Sequence, residues 1–183
     1  MVIGLAGSFG AGKGEVVNYL TQKKDFKHIS ARELITKEIK KRELPLNRDS
    51  MILVGNDIRA KGGPSHLYEL LFAEAKKIEG NVVVESIRAV AEVKYTKEQG
   101  GVVIGVDADP KLRYERATHR GSESDNVTFE KWRQQEMDES NPDDPTKQDI
   151  FGSLREADFI IQNNSTIEDL HKQIEKVLKE IES

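Results

Sequence analysis

Cysteine is absent from all 183 residues, which excludes both a disulfide framework and a thiolate metal site. Aromatic residues are scarce, at 6%, so the core has to be aliphatic. No apolar run approaches the roughly 18 to 20 residues that a membrane span needs. The opening MVIGLAG has no basic segment followed by a long apolar stretch, so no signal peptide is visible and a cytoplasmic location is expected. A surplus of positive charge is also missing: 28 Lys and Arg face 32 Asp and Glu, a net of −4. That argues against a sequence-independent grip on nucleic acid, while leaving room for a local basic pocket. The four histidines, His28, His66, His119 and His171, form no spacing that suggests a metal site or a catalytic dyad. No Ser-His-Asp arrangement and no internal repeat is present.

What the chain does contain is an alternation of short apolar runs with helical patterns, the signature of a parallel sheet covered on both faces. Strands are expected at Val2 to Ala6, Phe26 to Ser30, Asn81 to Ser86, Gly101 to Asp107 and Asp158 to Gln162. Leu67, Leu70, Leu71, Ala75 and Ile78 share a helix face, with Ser65 placed to cap it. Ile167, Leu170, Ile174, Val177, Leu178 and Ile181 make a second stripe, preceded by Ser165 and Glu168 at capping-box spacing. Arg120 to Val127 and Ser140 to Asp149 are polar and aperiodic, and are read as mobile loops of one domain spanning 1–183.

The strongest signal is Gly7-Ser8-Phe9-Gly10-Ala11-Gly12-Lys13-Gly14, directly after the first strand and before a helical pattern. It fits G-x-x-x-x-G-K without the final Ser or Thr. Glycines let successive N–H groups converge on phosphate oxygens, the following helix adds its positive end, and Lys13 reaches the β- and γ-phosphates. Gly14 stands where many such loops carry a magnesium-binding hydroxyl, and Glu15 follows. Magnesium has to be held through waters or by a carboxylate from elsewhere.

The segment Gly-x-x-Gly-x-Gly-Lys-Gly resembles the P-loop of adenylate kinases and other nucleoside monophosphate kinases. VVVESIRAVAEV, VDADPKLRYERATHR, SESD and ADFIIQNNSTIEDL extend the resemblance over most of the chain, toward archaeal nucleotide kinases related to dephospho-CoA kinase. It implies a three-layer α/β P-loop fold, a five-stranded parallel sheet with helices on both faces, and a mobile lid. It also implies an ATP site with Mg²⁺, formed by residues 7–15 and by Asn163 in an adenine-contacting loop.

Glu85 is read as ending its strand at the carboxyl edge of the sheet, where ligands collect. It can hold magnesium through water or position the acceptor. Arg88 resembles the arginine that holds an acceptor phosphate in monophosphate kinases. Arg32, Asn56 and Arg59 fall in the segment, about residues 30–66, where those kinases bind the acceptor, and a planar guanidinium suits a phosphate. Arg113, Arg116 and Arg120 lie three and four residues apart on one helix face, at the start of an expected lid over about residues 113–140. Lys13, Glu85, Arg116 and Arg120 form the expected catalytic set. The expected activity is ATP-dependent phosphorylation of a nucleoside monophosphate or similar nucleotide. Two alternatives stay open: dephospho-CoA kinase, whose acceptor is a hydroxyl, and a slowly hydrolysing nucleotide switch. Neither nucleic acid nor membrane is an expected partner.

Overall fold

The computed structural model describes residues 1–119, 127–144 and 147–183. Along the chain it runs β1 (Val2–Ala6), α1 (Lys13–Lys23), β2 (Lys27–Ser30), α2 (Ala31–Lys41), α3 (Arg48–Gly62), α4 (His66–Ala75), β3 (Val82–Ile87) and α5 (Val90–Glu98). It continues with β4 (Val102–Asp107), α6 (Pro110–His119), α7 (Phe129–Asp138), α8 (Ile150–Arg155), β5 (Phe159–Gln162) and α9 (Ile167–Glu182). The five strands form one sheet in the order β2-β3-β1-β4-β5, and every pairing is parallel. The central strand β1 is where the strand order reverses, so the crevice at its carboxyl end is the natural ligand position.

Strand side chains alternate between two cores. Ile3, Leu5, Val83, Ile104, Val106 and Ile161 face α1 and α9, packing on Val16, Leu20, Leu170 and Ile174. Val82, Val84, Ile87 and Val103 face the other way, against Tyr68, Leu71 and Phe72 of α4 and Val93 of α5. Such two-sided burial explains why the strands read as continuous apolar runs. A smaller cluster of Ile35, Ile39, Val54 and Leu67 ties α2 and α3 to α4.

Several local expectations shift. The third strand runs on to Ile87, because a bulge at its end sets Leu5 opposite Glu85 but Ala6 opposite Ile87. Ser65 makes no cap bond; its hydroxyl donates to Glu69 instead. The final helix is capped by Thr166, which accepts from the Asp169 amide, one residue beyond the expected Ser165. Part of the second aperiodic stretch leads into the short helix α8, whose cap Asp149 accepts from the Gly152 amide. On the outer strand β5, the Gln173 side chain of α9 pairs with Gln162 through two hydrogen bonds, at 3.0 and 2.9 Å. Among the described residues no helix is long and apolar enough to cross a membrane.

Candidate active site

The loop between β1 and α1 wraps the carboxyl end of the central strand. Gly10 and Gly12 both have positive φ, +71° and +101°. A Cβ would meet the Arg113 carbonyl oxygen at 2.1 Å from Gly10 and the Asn163 amide nitrogen at 2.2 Å from Gly12. Only glycine permits that backbone shape and those approaches together. Gly14 differs, because a Cβ there would meet nothing within 4 Å. Lys13 opens α1 and turns its ammonium back onto the loop, donating to the carbonyls of Gly7 at 2.6 Å and Ser8 at 2.8 Å.

Asn163 follows β5 and braces this loop. Its side-chain amide donates to the Ala11 carbonyl at 2.9 Å, and its own amide donates to the Asp107 carbonyl. The Arg116 guanidinium donates to the Asn163 carbonyl at 3.0 Å. Glu15, in the first turn of α1, has its carboxylate 3.6 Å from the imidazole of His171 of α9.

On the other side of β1, Glu85 of β3 sits opposite Ser30 of β2. The Ser30 hydroxyl donates to the carboxylate at 3.1 Å, and the His28 imidazole lies 3.6 Å away. His28, aided by Ser30 and the positive field of Lys13, holds the Glu85 carboxyl below its ordinary value. The carboxylate in turn raises His28. Glu85 is therefore an anion at neutral pH, facing the lysine of the loop. Two-residue alternation on adjacent strands brings His28 to Glu85, a contact that linear spacing does not reveal.

Arg88, just past β3, lays its guanidinium over the ring of the loop residue Phe9, 4.7 Å from the centroid. Its position is fixed from behind. Glu92 accepts the amides of Arg88 at 2.8 Å and Ala89 at 3.1 Å, and the other oxygen of the same carboxylate accepts two bonds from Arg59. Arg59 is 2% exposed and Glu92 wholly buried. Arg59 is thus not on hand for an acceptor, contrary to expectation, because its charge is neutralised by Glu92 inside the fold. Asn56 keeps a buried side-chain oxygen without a hydrogen-bond partner, and Arg32 is exposed on the first turn of α2.

Arg113 is corrected in the same way. It is 2% exposed and paired with Glu136 of α7, so it does not share a solvent face with Arg116. Arg120 lies outside the described residues. Sequence reasoning passed over Glu92, Glu136 and His28. Glu92 had a usable signal, since an acidic residue at the third position of a helix reaches back to its entering amides. Glu136 sits in the polar run QQEMDE and had none.

An AAA domain family model matches residues 6–133, well over half of the chain. The protein belongs to this family. The match starts at Ala6, the last residue of β1, and covers the P-loop and the next three strands, in line with the P-loop kinase-like reading of the sequence. A UPF0200 protein of Pyrococcus horikoshii is 29% identical, covering 99% of this chain and 97% of its own length. One from Methanocaldococcus jannaschii is also 29% identical, over 99% and 90%. Among solved structures, TT1252 from Thermus thermophilus superposes with a TM-score of 0.66 at 19% identity, covering 99% of this chain and 97% of that one. Shikimate kinase from Bacteroides thetaiotaomicron gives 0.60 at 14%, over 100% and 99%. Deoxyadenosine kinase from M. mycoides gives 0.55 at 17%, again over 100% and 99%. At these identities the likeness speaks for the fold, a P-loop kinase-like α/β architecture.

Proposed function

We propose that the protein is an ATP-dependent phosphotransferase acting on a nucleotide-like small molecule. The observation that carries this reading is the gathering of one ionised carboxylate and two cations around a phosphate-binding loop: Glu85, Lys13 and Arg88. The loop amides of residues 7–14 and the start of α1 cradle the triphosphate. Lys13 exchanges its loop carbonyls for β- and γ-phosphate oxygens. Asn163 and Arg116 form the wall on which the adenine end rests. Arg88, with Arg32 and Asn56 of the acceptor segment (about 30–66), receives the acceptor phosphate, one oxygen of which forms the new P–O bond as the β–γ bridge breaks. Residues of about 113–140, Arg116 and Arg120 included, serve as the lid that excludes water. A cytoplasmic location suits these substrates.

Magnesium is an ion usually bound by one or two carboxylates, waters and phosphates. Glu85, kept ionised by His28 and Lys13, and the Ser30 hydroxyl beside it are the groups that would hold it. The ion, when bound, neutralises charge on the phosphates.

A second reading, a hydroxyl acceptor such as that of dephospho-CoA, draws on the His28–Glu85 pair, since a carboxylate backed by an imidazole can take a hydroxyl proton. ADP release from Mg-ATP, measured with ribo- and deoxyribonucleoside monophosphates and dephospho-CoA, separates the readings. Strong stimulation by a monophosphate supports the first, and stimulation by dephospho-CoA alone supports the second. Lys13→Ala should lower the stimulated rate by about a hundredfold or more while keeping the fold. A slow rate that no acceptor changes points to a nucleotide switch and sinks both kinase readings.

A further inference from the structure

Behind the phosphate loop lies a buried charge cluster whose side-chain contacts none of the roles above uses. Glu136 of α7 is 1% exposed, as is Ser8 of the loop. The carboxylate accepts the Ser8 hydroxyl, a bidentate grip from Arg113 and a further bond from Arg133. Arg113 also lies 3.7 Å from Asp107, so two carboxylates meet two guanidiniums, and Arg133, about a third exposed, is the outermost of the group. The loop leans on this cluster at three successive residues. Ser8 reaches Glu136, the Phe9 carbonyl lies 3.5 Å from Arg113, and Gly10 packs on the Arg113 backbone.

Ser8 is held at both ends. Its carbonyl accepts Lys13 and its hydroxyl is committed to Glu136, a residue 128 positions away. A polyphosphate that draws the Lys13 ammonium off the loop removes the first restraint and leaves the second. We propose that the Ser8–Glu136 contact couples occupancy of the phosphate loop to α7, with Glu136 a positioning residue of the nucleotide site. The inference rests on the nucleotide reading of that site. Glu136 touches no substrate in this scheme. It fixes the outer limb of the loop while the inner limb releases Lys13, and any shift of that limb passes to Arg113 and α7.

The molecule carries its own reporter. Trp132, the sole tryptophan, is buried on α7 one turn before Glu136, with the Arg113 guanidinium 5.3 Å from its ring centroid. Indole emission responds to a cation moving over its face.

The test uses the full chain, with Mg-ADP and Mg-ATP as ligands. Calorimetry gives Kd, and tryptophan emission gives the amplitude of the α7 response. Wild-type emission should change in step with binding. Ser8→Ala removes one buried hydroxyl and leaves Glu136 paired with both arginines. It should bind about tenfold more weakly and lose most of the emission change, with a melting temperature within a few degrees of wild type. A merely structural serine would lower the melting temperature and leave the amplitude intact. Unchanged Kd and amplitude in Ser8→Ala overturn the coupling while leaving the nucleotide site standing. A wild type that binds neither nucleotide overturns both. Hydrogen exchange of the α7 amides in wild type, with and without Mg-ADP, needs no variant to fold: slower exchange with nucleotide is expected, and no difference sinks the coupling.

Discussion

Two buried arginine–glutamate pairs flank the candidate site, and they are built differently. On the acceptor side, Arg59 and Glu92 balance one to one, and the spare carboxylate oxygen holds the two amides that enter α5. On the opposite side, Glu136 serves Arg113, Arg133 and the Ser8 hydroxyl, bridging α6, α7 and the loop. The first is a staple within the fold, with Nη1 of Arg59 left without a partner, and the second is a joint between elements in which Asp107 adds a second carboxylate to Arg113. Buried ion pairs are poor evidence of net stability, yet breaking one by removing a single partner is costly. The contrast teaches that the same pair of residue types can fix a turn or link two separate elements, according to what else the carboxylate holds.

The staple can be broken most severely. Glu92→Ala leaves the Arg59 guanidinium buried without its counter-ion and strands two amides, so a loss of about 3–5 kcal/mol is expected in denaturant unfolding. A loss under about 1 kcal/mol would show that water replaces the carboxylate. Removing both charges in Arg59→Met/Glu92→Leu should recover a large part of that loss, because the unpaired charge has gone. For the site between the pairs, Glu85→Gln keeps the shape and removes the charge. It should cut the acceptor-stimulated rate by about a hundredfold and raise the magnesium concentration needed for half-maximal rate. An unchanged magnesium titration would remove Glu85 from the site. The joint should tolerate loss of its outermost partner: Arg133→Ala leaves Arg113 on Glu136 and should cost about 1 kcal/mol or less by thermal melting.

Much of the fold was legible from the chain. Each of the five strands lies within one residue of its expected bounds, because a parallel strand buried on both faces has to be a short apolar run. The phosphate loop was legible for a related reason: its work is done by main-chain groups, and glycines at fixed spacing leave a mark in sequence. The arginines did not submit to that reading. Whether an arginine meets solvent, ligand or a buried carboxylate depends on partners 33 residues away for Arg59 and 23 for Arg113, which no local pattern encodes. Helix position alone put Arg113 beside Arg116, yet one is under α7 and the other on the Asn163 carbonyl.

The His28–Glu85 pair offers a finer test of what flanks the loop. His28 is raised above its ordinary 6.5 and Glu85 lowered below 4.5, each chiefly by the other. The histidine's contribution to stability is complete below pH 6.5 and fades as pH rises through its elevated value. The glutamate's is complete above pH 4.5 and fades as pH falls through its depressed one. The stability gap between wild type and His28→Gln should therefore be widest at pH 5–6 and narrow toward pH 8. A gap that stays constant across that range would mean the imidazole contributes packing alone. Smallest of all, Gly14→Ser has open space for its side chain and should stabilise α1 by roughly 0.5 kcal/mol.

The side-chain amide of Gln173 lies along Gln162 at the rim of the sheet, donating and accepting as a further peptide unit would. A lone outer strand invites recruitment by other chains, and here Ile160 adds an exposed apolar side chain to the same strand. By filling the rung at Gln162, the helix closes the register in which another polypeptide could dock. The residue that covers this edge is remote from the candidate site. Gln173→Ala should bring concentration-dependent light scattering on warming, well before kinetics or the melting temperature register a change.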